Sequence, residues 1–246
     1  MRTFLILQLR PETEAADDEF AAFLAKGGLD PAETVRVRLD ETPDLAGLDP
    51  GEFAGVIVGG GPGCVSDAPE AKPARERAIE AAVMGLMPAV VGRDLPFLGC
   101  CYGIGILAHH LGAPVGKGRF GEPVGASDCA LTPEGRADPL LAGLPERFRA
   151  FVGHKEAVEA LPEGCAHLVA SGPCPFQMIR RGRNVYATQF HPEADAAGIA
   201  LRIRVYADRG YFPPEDAAAL TAAVMAERVE APGRILANFV ARYRDG

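Results

Sequence analysis

The run Leu95-Pro-Phe-Leu-Gly-Cys-Cys-Tyr-Gly-Ile-Gly-Ile-Leu-Ala-His-His-Leu111 joins one apolar segment directly to another. Leu95–Cys100 is too short for a helix and reads as a strand buried on both faces, whereas Tyr102–Leu111 is helix-length and apolar nearly all round. A buried strand passing at once into a buried helix is the repeating unit of a parallel sheet, whose crossover helices cover both faces. Upstream, Thr3–Leu9 is a compact apolar run ahead of Pro11, Val35–Leu39 alternates with arginines, and Gly55–Val58 is another short buried run. Between them, Asp17–Ala25 places Phe20, Ala21, Phe23 and Leu24 on one helical face. Lys72–Met87 spaces Ala78, Ile79, Ala82, Val83 and Leu86 as a helix would, with Pro73 near its start.

From residue 115 the pieces shorten. Phe148–Val152, His167–Ala170, Phe176–Arg180 and Asn184–Phe190 read as strands, the last two joined at Gly182 in a hairpin. Residues 195–246 read as helical, with Ile199, Ile203 and Tyr206, then Leu220, Val224 and Met225, then Ile235, Leu236, Phe239, Val240 and Tyr243 as apolar stripes. The pattern predicts an α/β fold, a mostly parallel central sheet with helices on both faces and extra C-terminal helices. A single domain over 1–246 is expected, with a core over about 1–195 and a helical extension over about 196–246.

Composition narrows the function. Lys+Arg 25 against Asp+Glu 33 gives the 246-residue chain a net charge of −8, which offers no general attraction to nucleic acid or an anionic membrane. Met1–Arg10 has too short an apolar run for an export leader, and no uncharged stretch approaches the roughly 18 residues of a membrane helix. The six cysteines, Cys64, Cys100, Cys101, Cys129, Cys165 and Cys174, are therefore read as free thiols in a cytoplasmic protein rather than a disulfide framework.

Cys101 stands at the strand–helix junction, at the carboxyl edge of a parallel sheet where such folds place their ligands. Gly99 and Gly103 flank it as the glycines of a nucleophile elbow do. The helix N-terminus favours a thiolate, which predicts a depressed pKa and faster alkylation than at the other five thiols. Two further segments fit the same chemistry. Gly59-Gly60-Gly61-Pro62-Gly63 after a strand can present a backbone amide to the nucleophile, and Thr188-Gln189-Phe190-His191-Pro192-Glu193 ends a strand in a histidine. His191 suits a base for Cys101, and Glu193 suits the group that orients it.

These three segments closely resemble class I glutamine amidotransferases, nearest to stand-alone proteins similar to the glutaminase domain of GMP synthase. The resemblance covers about residues 1–195, and Gln189–Glu193 is its most specific part. It implies a flavodoxin-like fold and a Cys101–His191–Glu193 triad that hydrolyses the side-chain amide of glutamine through a thioester, releasing ammonia to a separate synthase. It implies oxyanion-hole amides at Gly61 and Tyr102, and a substrate site bordered by Gly60, Gly103, His154 and Lys155, the last two within Gly153-His154-Lys155-Glu156. No cofactor or metal is implied. The family commonly carries Gly-His-Gln where this chain reads Gly103-Ile104-Gly105, so a glutamine that often grips the substrate is missing.

Other clusters read as structure. His109 and His110 are adjacent on a helix and point different ways, with no metal-ligand spacing around them. Cys100 is expected in the core, and Arg180, Arg181 and Arg183 at a solvated turn. Two alternatives accompany the amidotransferase reading: a stand-alone hydrolase or peptidase of γ-glutamyl compounds using the same triad, and a non-catalytic regulatory or binding subunit.

Overall fold

A computed structural model of the chain describes residues 2–245. The elements run β1 (Phe4–Gln8), α1 (Thr13–Gly27), β2 (Thr34–Arg38), β3 (Gly55–Val58), α2 (Ala74–Gly92), β4 (Phe97–Cys100), α3 (Tyr102–His110), β5 (Val115–Gly116), β6 (Glu122–Leu131) and α4 (Pro133–Ala137). Then follow β7 (Arg147–His154), β8 (Ala157–Val158), β9 (Cys165–Ser171), β10 (Met178–Arg181), β11 (Val185–Thr188), α5 (Ala196–Val205), α6 (Ala217–Met225) and α7 (Gly233–Tyr243). Nine strands form one sheet in the order β2-β1-β3-β4-β11-β10-β9-β6-β7. The strands from β2 to β11 in that order run parallel, and the remaining pairs are antiparallel. The short strands β5 and β8 pair separately.

Alternation along β1 sorts its side chains between two cores. Phe4 and Ile6 join Phe23 of α1 and Leu236 and Phe239 of α7 on one face. Leu5 and Leu7 join Val83 of α2 and Leu107 of α3 on the other. Each such side chain is fully enclosed, and burial stabilises the fold by roughly 1.5–3 kcal/mol apiece. This is the α/β architecture, with helices on both faces, that the sequence pattern predicts.

Three stretches depart from the sequence reading. Helix α2 does not stop before Pro88 but continues to Gly92, because Met87 and Val90 are buried against the sheet and hold the last turn in place of the missing N–H donor. Strand β6 has no counterpart in the sequence pattern: Pro123, Gly125 and Asp128 give it poor strand propensity, and its pairing with β7 supplies the order instead. Residues after α5 are not continuously helical, since Tyr206–Pro213 forms an irregular strap before α6. Ile199 and Ile203 of α5 and Val224 of α6 make a small third core against Phe151 of β7.

The topology decides where the chemistry sits. β11 lies beside β4 in parallel register, with Thr188 opposite Cys100. Cys101 therefore leaves the sheet one residue after β4, and His191 leaves the same edge three residues after β11. Their distance along the chain is irrelevant once those two strands pair.

Candidate active site

Cys101 caps α3 with φ 55° and ψ −90°, a backbone conformation that costs a non-glycine residue about 1–3 kcal/mol. The sheet enforces it: the Cys101 N–H donates to the Thr188 carbonyl of β11 at 2.8 Å. A Cβ at Gly99 would stand 2.9 Å from the Gly103 backbone, so the elbow closes only with glycine there. At Gly103 a Cβ would approach nothing nearer than 3.9 Å, so of the two flanking glycines the close approach demands only the first.

His191 is fixed from three directions. Its N–H donates to the Phe151 carbonyl at 2.9 Å, the preceding carbonyl of Phe190 accepts from Thr188 Oγ1 at 2.9 Å, and its Nδ1 lies 2.9 Å from Glu193 Oε1. That last contact leaves Nε2 as the nitrogen available to a reacting group. His191 and Cys101 line one cavity of about 40 Å³. Burial holds the His191 imidazole below its usual pKa, in the neutral, basic form, against the opposing pull of Glu193. Burial also works to raise the Glu193 carboxyl, but His191 and Arg202 outweigh it and hold the group far below the carboxylate range.

The thiol departs from expectation. Burial pushes Cys101 up to about 12, not down. Arg10 and Arg202 favour the thiolate, yet the helix N-terminus and both cations together do not offset the loss of water. Burial thus favours the neutral form of both the Cys101 thiol and the His191 imidazole in the cavity they share.

Two buried arginines share this cavity, and sequence reasoning missed both. Arg10, just past β1, donates from Nε to Glu19 Oε1 at 2.9 Å and from Nη1 to Tyr206 Oη at 3.3 Å. Glu19, fully enclosed on α1, also accepts the Gly60 N–H at 3.2 Å. The glycine loop passes so close that a Cβ at Gly60 would lie 2.6 Å from Arg10 Nη2 and 2.8 Å from His191 Cε1. Arg202 of α5 places Nη2 3.1 Å from Glu193 Oε1. Gly61 lines the cavity beside Cys101, and Tyr102 opens α3 with its hydroxyl donating to Glu80 Oε2 at 2.6 Å.

A second, smaller cavity of about 20 Å³ meets Cys101 on the other side, lined by Gly105, His154, Lys155 and Glu156 among others. Glu156 Oε1 accepts the Val65 N–H at 2.9 Å, while Oε2 accepts the Ser66 N–H at 3.0 Å and the Ser66 hydroxyl at 2.7 Å. A Cβ at Gly105 would stand 3.0 Å from Glu156 Oε1, so this carboxylate occupies the room a longer side chain at position 105 would need. Both ring nitrogens of His154 are engaged, Nδ1 with the Glu156 carbonyl at 2.9 Å and Nε2 with Glu122 Oε2 at 3.1 Å. Lys155 Nζ turns outward, 4.0 Å from the Tyr211 ring centre and donating to the Arg209 carbonyl at 3.2 Å.

Glu122, His154 and Cys174 bring three ligand-type atoms within 4.8 Å of one another. Glu122 Oε2 is already the partner of His154 and accepts from Gln177 Nε2 at 2.5 Å, and burial pushes the Cys174 thiol up to about 12. The cluster reads as a closed polar network joining β6, β7 and the segment before β10.

The sequence profile of the glutamine amidotransferase class-I family matches residues 31–198. The chain belongs to the class I glutamine amidotransferases. It is thus an enzyme of this kind, on the fold that the motifs of the first strands and helices imply. Among proteins similar to it, a glutamine-hydrolysing GMP synthase subunit of Natronomonas pharaonis is 35% identical over 111 residues, 45% of this chain and 59% of that one. The glutamine-hydrolysing GMP synthase of Elusimicrobium minutum is 32% identical over 61% of this chain and 26% of that one. The matched stretches thus span from about a quarter to three fifths of those relatives' own lengths. A solved glutamine amidotransferase of Thermotoga maritima superposes with a TM-score of 0.76 at 18% identity, each chain covered in full. Among the described residues no helix is long and apolar enough to cross a membrane.

Proposed function

We propose that the chain hydrolyses a γ-glutamyl amide, with glutamine as the simplest substrate, through a thioester on Cys101. The observation that carries the reading is the single cavity shared by the strained Cys101 and by a His191 whose Nδ1 is held by Glu193. As the γ-carbonyl carbon approaches, His191 Nε2 takes the thiol proton and Sγ bonds to carbon. The backbone amides of Gly61 and Tyr102 receive the charge that develops on oxygen. The imidazolium, stabilised by Glu193, then gives its proton to the nitrogen, the carbon–nitrogen bond breaks, and ammonia leaves. Water activated by His191 cleaves the thioester, releasing glutamate and restoring the thiol.

His154 and Lys155 wall the second cavity, whereas neither Gly60 nor Gly103 lines either cavity at Cys101; Gly60 serves the site by leaving room for Arg10 and His191. The Natronomonas relative, named as a GMP synthase subunit, supports delivery of the ammonia formed from glutamine to a separate synthase partner. Ammonia release from glutamine, beside Cys101→Ala, tests the chemistry. Wild-type turnover with a γ-glutamyl adduct on the peptide containing Cys101 is expected; turnover that survives Cys101→Ala overturns the reading.

A further inference from the structure

The inner cavity carries a feature that the thioester chemistry itself does not use. Arg202 is 6% exposed, and none of its three guanidinium nitrogens has a hydrogen-bond partner within the described chain. Its one ionic neighbour in reach is Glu193, on Nη2, whose Oε1 also serves His191. Asp18 of α1 adds a longer-range attraction without a hydrogen bond to it, while burial pushes the Asp18 carboxyl above its ordinary value. A buried cation with unused donors is costly unless an anion or another acceptor meets it. Arg10 adds a second buried guanidinium to the same cavity.

Size and position narrow the ligand. At about 40 Å³, on a scale where one water needs roughly 10–15 Å³, the cavity admits about three heavy atoms, the size of one carboxylate group. A planar guanidinium fork is the side chain best matched to a carboxylate. His191 lines this cavity and does not line the one beside Glu156. The acid that protonates a departing nitrogen stands on the departing group's side, so a carboxylate held here belongs to that group.

We propose that the cavity formed by Arg202, Arg10 and His191 is a subsite for the carboxylate of a leaving amino acid, which makes γ-glutamyl amino acids the preferred substrates of this chain. This rests on the thioester chemistry proposed above and names its substrate class. Sγ of Cys101 bonds to the γ-carbonyl carbon, the bond to the amino acid's nitrogen breaks, and His191 passes the thiol proton to that nitrogen. One water then splits the thioester, so a γ-glutamyl amino acid and water yield glutamate and the free amino acid. The strap after α5 roofs the subsite: Tyr206 and Tyr211 lie with ring centres 5.9 Å apart, and the Tyr211 hydroxyl donates to the Pro62 carbonyl at 3.2 Å. Tyr211 also lines an outer cavity of about 600 Å³, the route by which such a substrate enters.

The test compares γ-glutamylglycine, γ-glutamylmethylamide and glutamine on the wild type, then on Arg202→Gln and Arg202→Lys, following glutamate release. The wild type is expected to favour γ-glutamylglycine over γ-glutamylmethylamide by about 100-fold in kcat/KM, the size of effect typical of a buried charge-assisted contact. In Arg202→Gln that ratio collapses to within about threefold, and Arg202→Lys recovers part of it. Equal wild-type rates on the two compounds overturn the subsite while glutamine turnover leaves the thioester reading standing. A ratio that persists in Arg202→Gln also overturns it. So does an equal fall on both substrates, which would assign Arg202 to Glu193 alone or to the carboxylate of the γ-glutamyl half. Absence of Cys101-dependent turnover on every compound removes both readings together.

Discussion

Two cavities meet at Cys101, and each holds a buried ion treated in the opposite way. Beside Gly105, the carboxylate of Glu156 accepts from two backbone amides and a hydroxyl, so its charge is fully used within the fold. Beside His191, the guanidinium of Arg202 has no hydrogen bond of its own. A satisfied buried ion organises structure, whereas an unsatisfied one at a reactive centre is available to a ligand. On the proposal above, the difference separates a carboxylate that holds the shape of the site from a guanidinium that receives the leaving group.

The largest effect sets the scale for both cavities. Cys101→Ala is expected to lower turnover of every γ-glutamyl substrate by at least ~10⁴-fold, because the bond-forming atom is gone. Its melting temperature should stay within a few degrees, since the strained backbone is imposed by β4, β11 and Gly99 rather than by the sulfur. A rate that survives, or a protein that fails to fold, would remove Cys101 from the centre of the comparison.

Next in size is the pair that feeds the nucleophile. His191→Ala should cost about 10³-fold or more in kcat and Glu193→Gln about 10²-fold, because an orienting carboxylate contributes less than the base. Stability should rank the other way. Glu193→Gln leaves Arg202 buried beside a neutral group, a loss of about 3–5 kcal/mol that urea unfolding would measure. Equal kcat losses would contradict that ordering, and a Glu193→Gln protein as stable as wild type would show that the Arg202–Glu193 contact carries little.

The satisfied side answers differently. Glu156→Gln turns an oxygen that accepts from Val65 or Ser66 into a donor, and is expected to cost about 1–3 kcal/mol of stability. Its effect on kcat/KM should be the same for γ-glutamylglycine and γ-glutamylmethylamide. A selective effect there, in place of the one expected at Arg202, would reverse the assignment of the two cavities.

What was legible in the sequence divides along the same line. That Cys101, His191 and Glu193 come together could be read because each sits in a local pattern, strand–glycine–cysteine–helix or strand–histidine–proline–glutamate, that announces its own geometry. The parallel half of the sheet was readable for the same reason, since buried strands and crossover helices have distinct periods. Arg10, Glu19, Arg202 and Tyr206 were not, because they come from β1's exit, α1, α5 and the strap, and only packing brings them together. An arginine on an otherwise unremarkable amphipathic helix gives no sign that its guanidinium is enclosed. Strand β6 hid behind Pro123 and Gly125, and α2 behind Pro88, where tertiary contacts override local preference.

A pH profile probes the charges around the base. Burial lowers the His191 pKa, so the imidazole stays neutral and able to accept a proton until the pH falls below its ordinary value of about 6.5. The log of kcat/KM should therefore be flat through neutrality and fall on the acid side only below about pH 6.5, approaching tenfold per pH unit. The facing groups are Glu193, which opposes the shift, and Arg202 and Arg10, which reinforce it. Arg202→Gln should move the acid limb upward, since one of the two cations disfavouring the imidazolium is lost. A limb that stays in place or moves down would mean that Arg202 does not act electrostatically on the base.

The smallest effect concerns the free thiols and runs against the sequence reading. Cys101 is buried and pushed up to about 12, while Cys165, less buried than the other five cysteines, is pushed only to about 11. At any neutral pH the thiolate fraction of Cys165 is thus roughly tenfold that of Cys101. Brief iodoacetamide treatment without substrate, followed by peptide mapping, should label Cys165 first by about that factor. A γ-glutamyl electrophile in the cavity should reverse the order, because it gives His191 a reason to take the proton from Cys101. If Cys101 labels first with no substrate present, the N-terminus of α3 together with Arg10 and Arg202 outweighs burial. The inner cavity would then be a preformed thiolate site rather than one that ionises only when occupied.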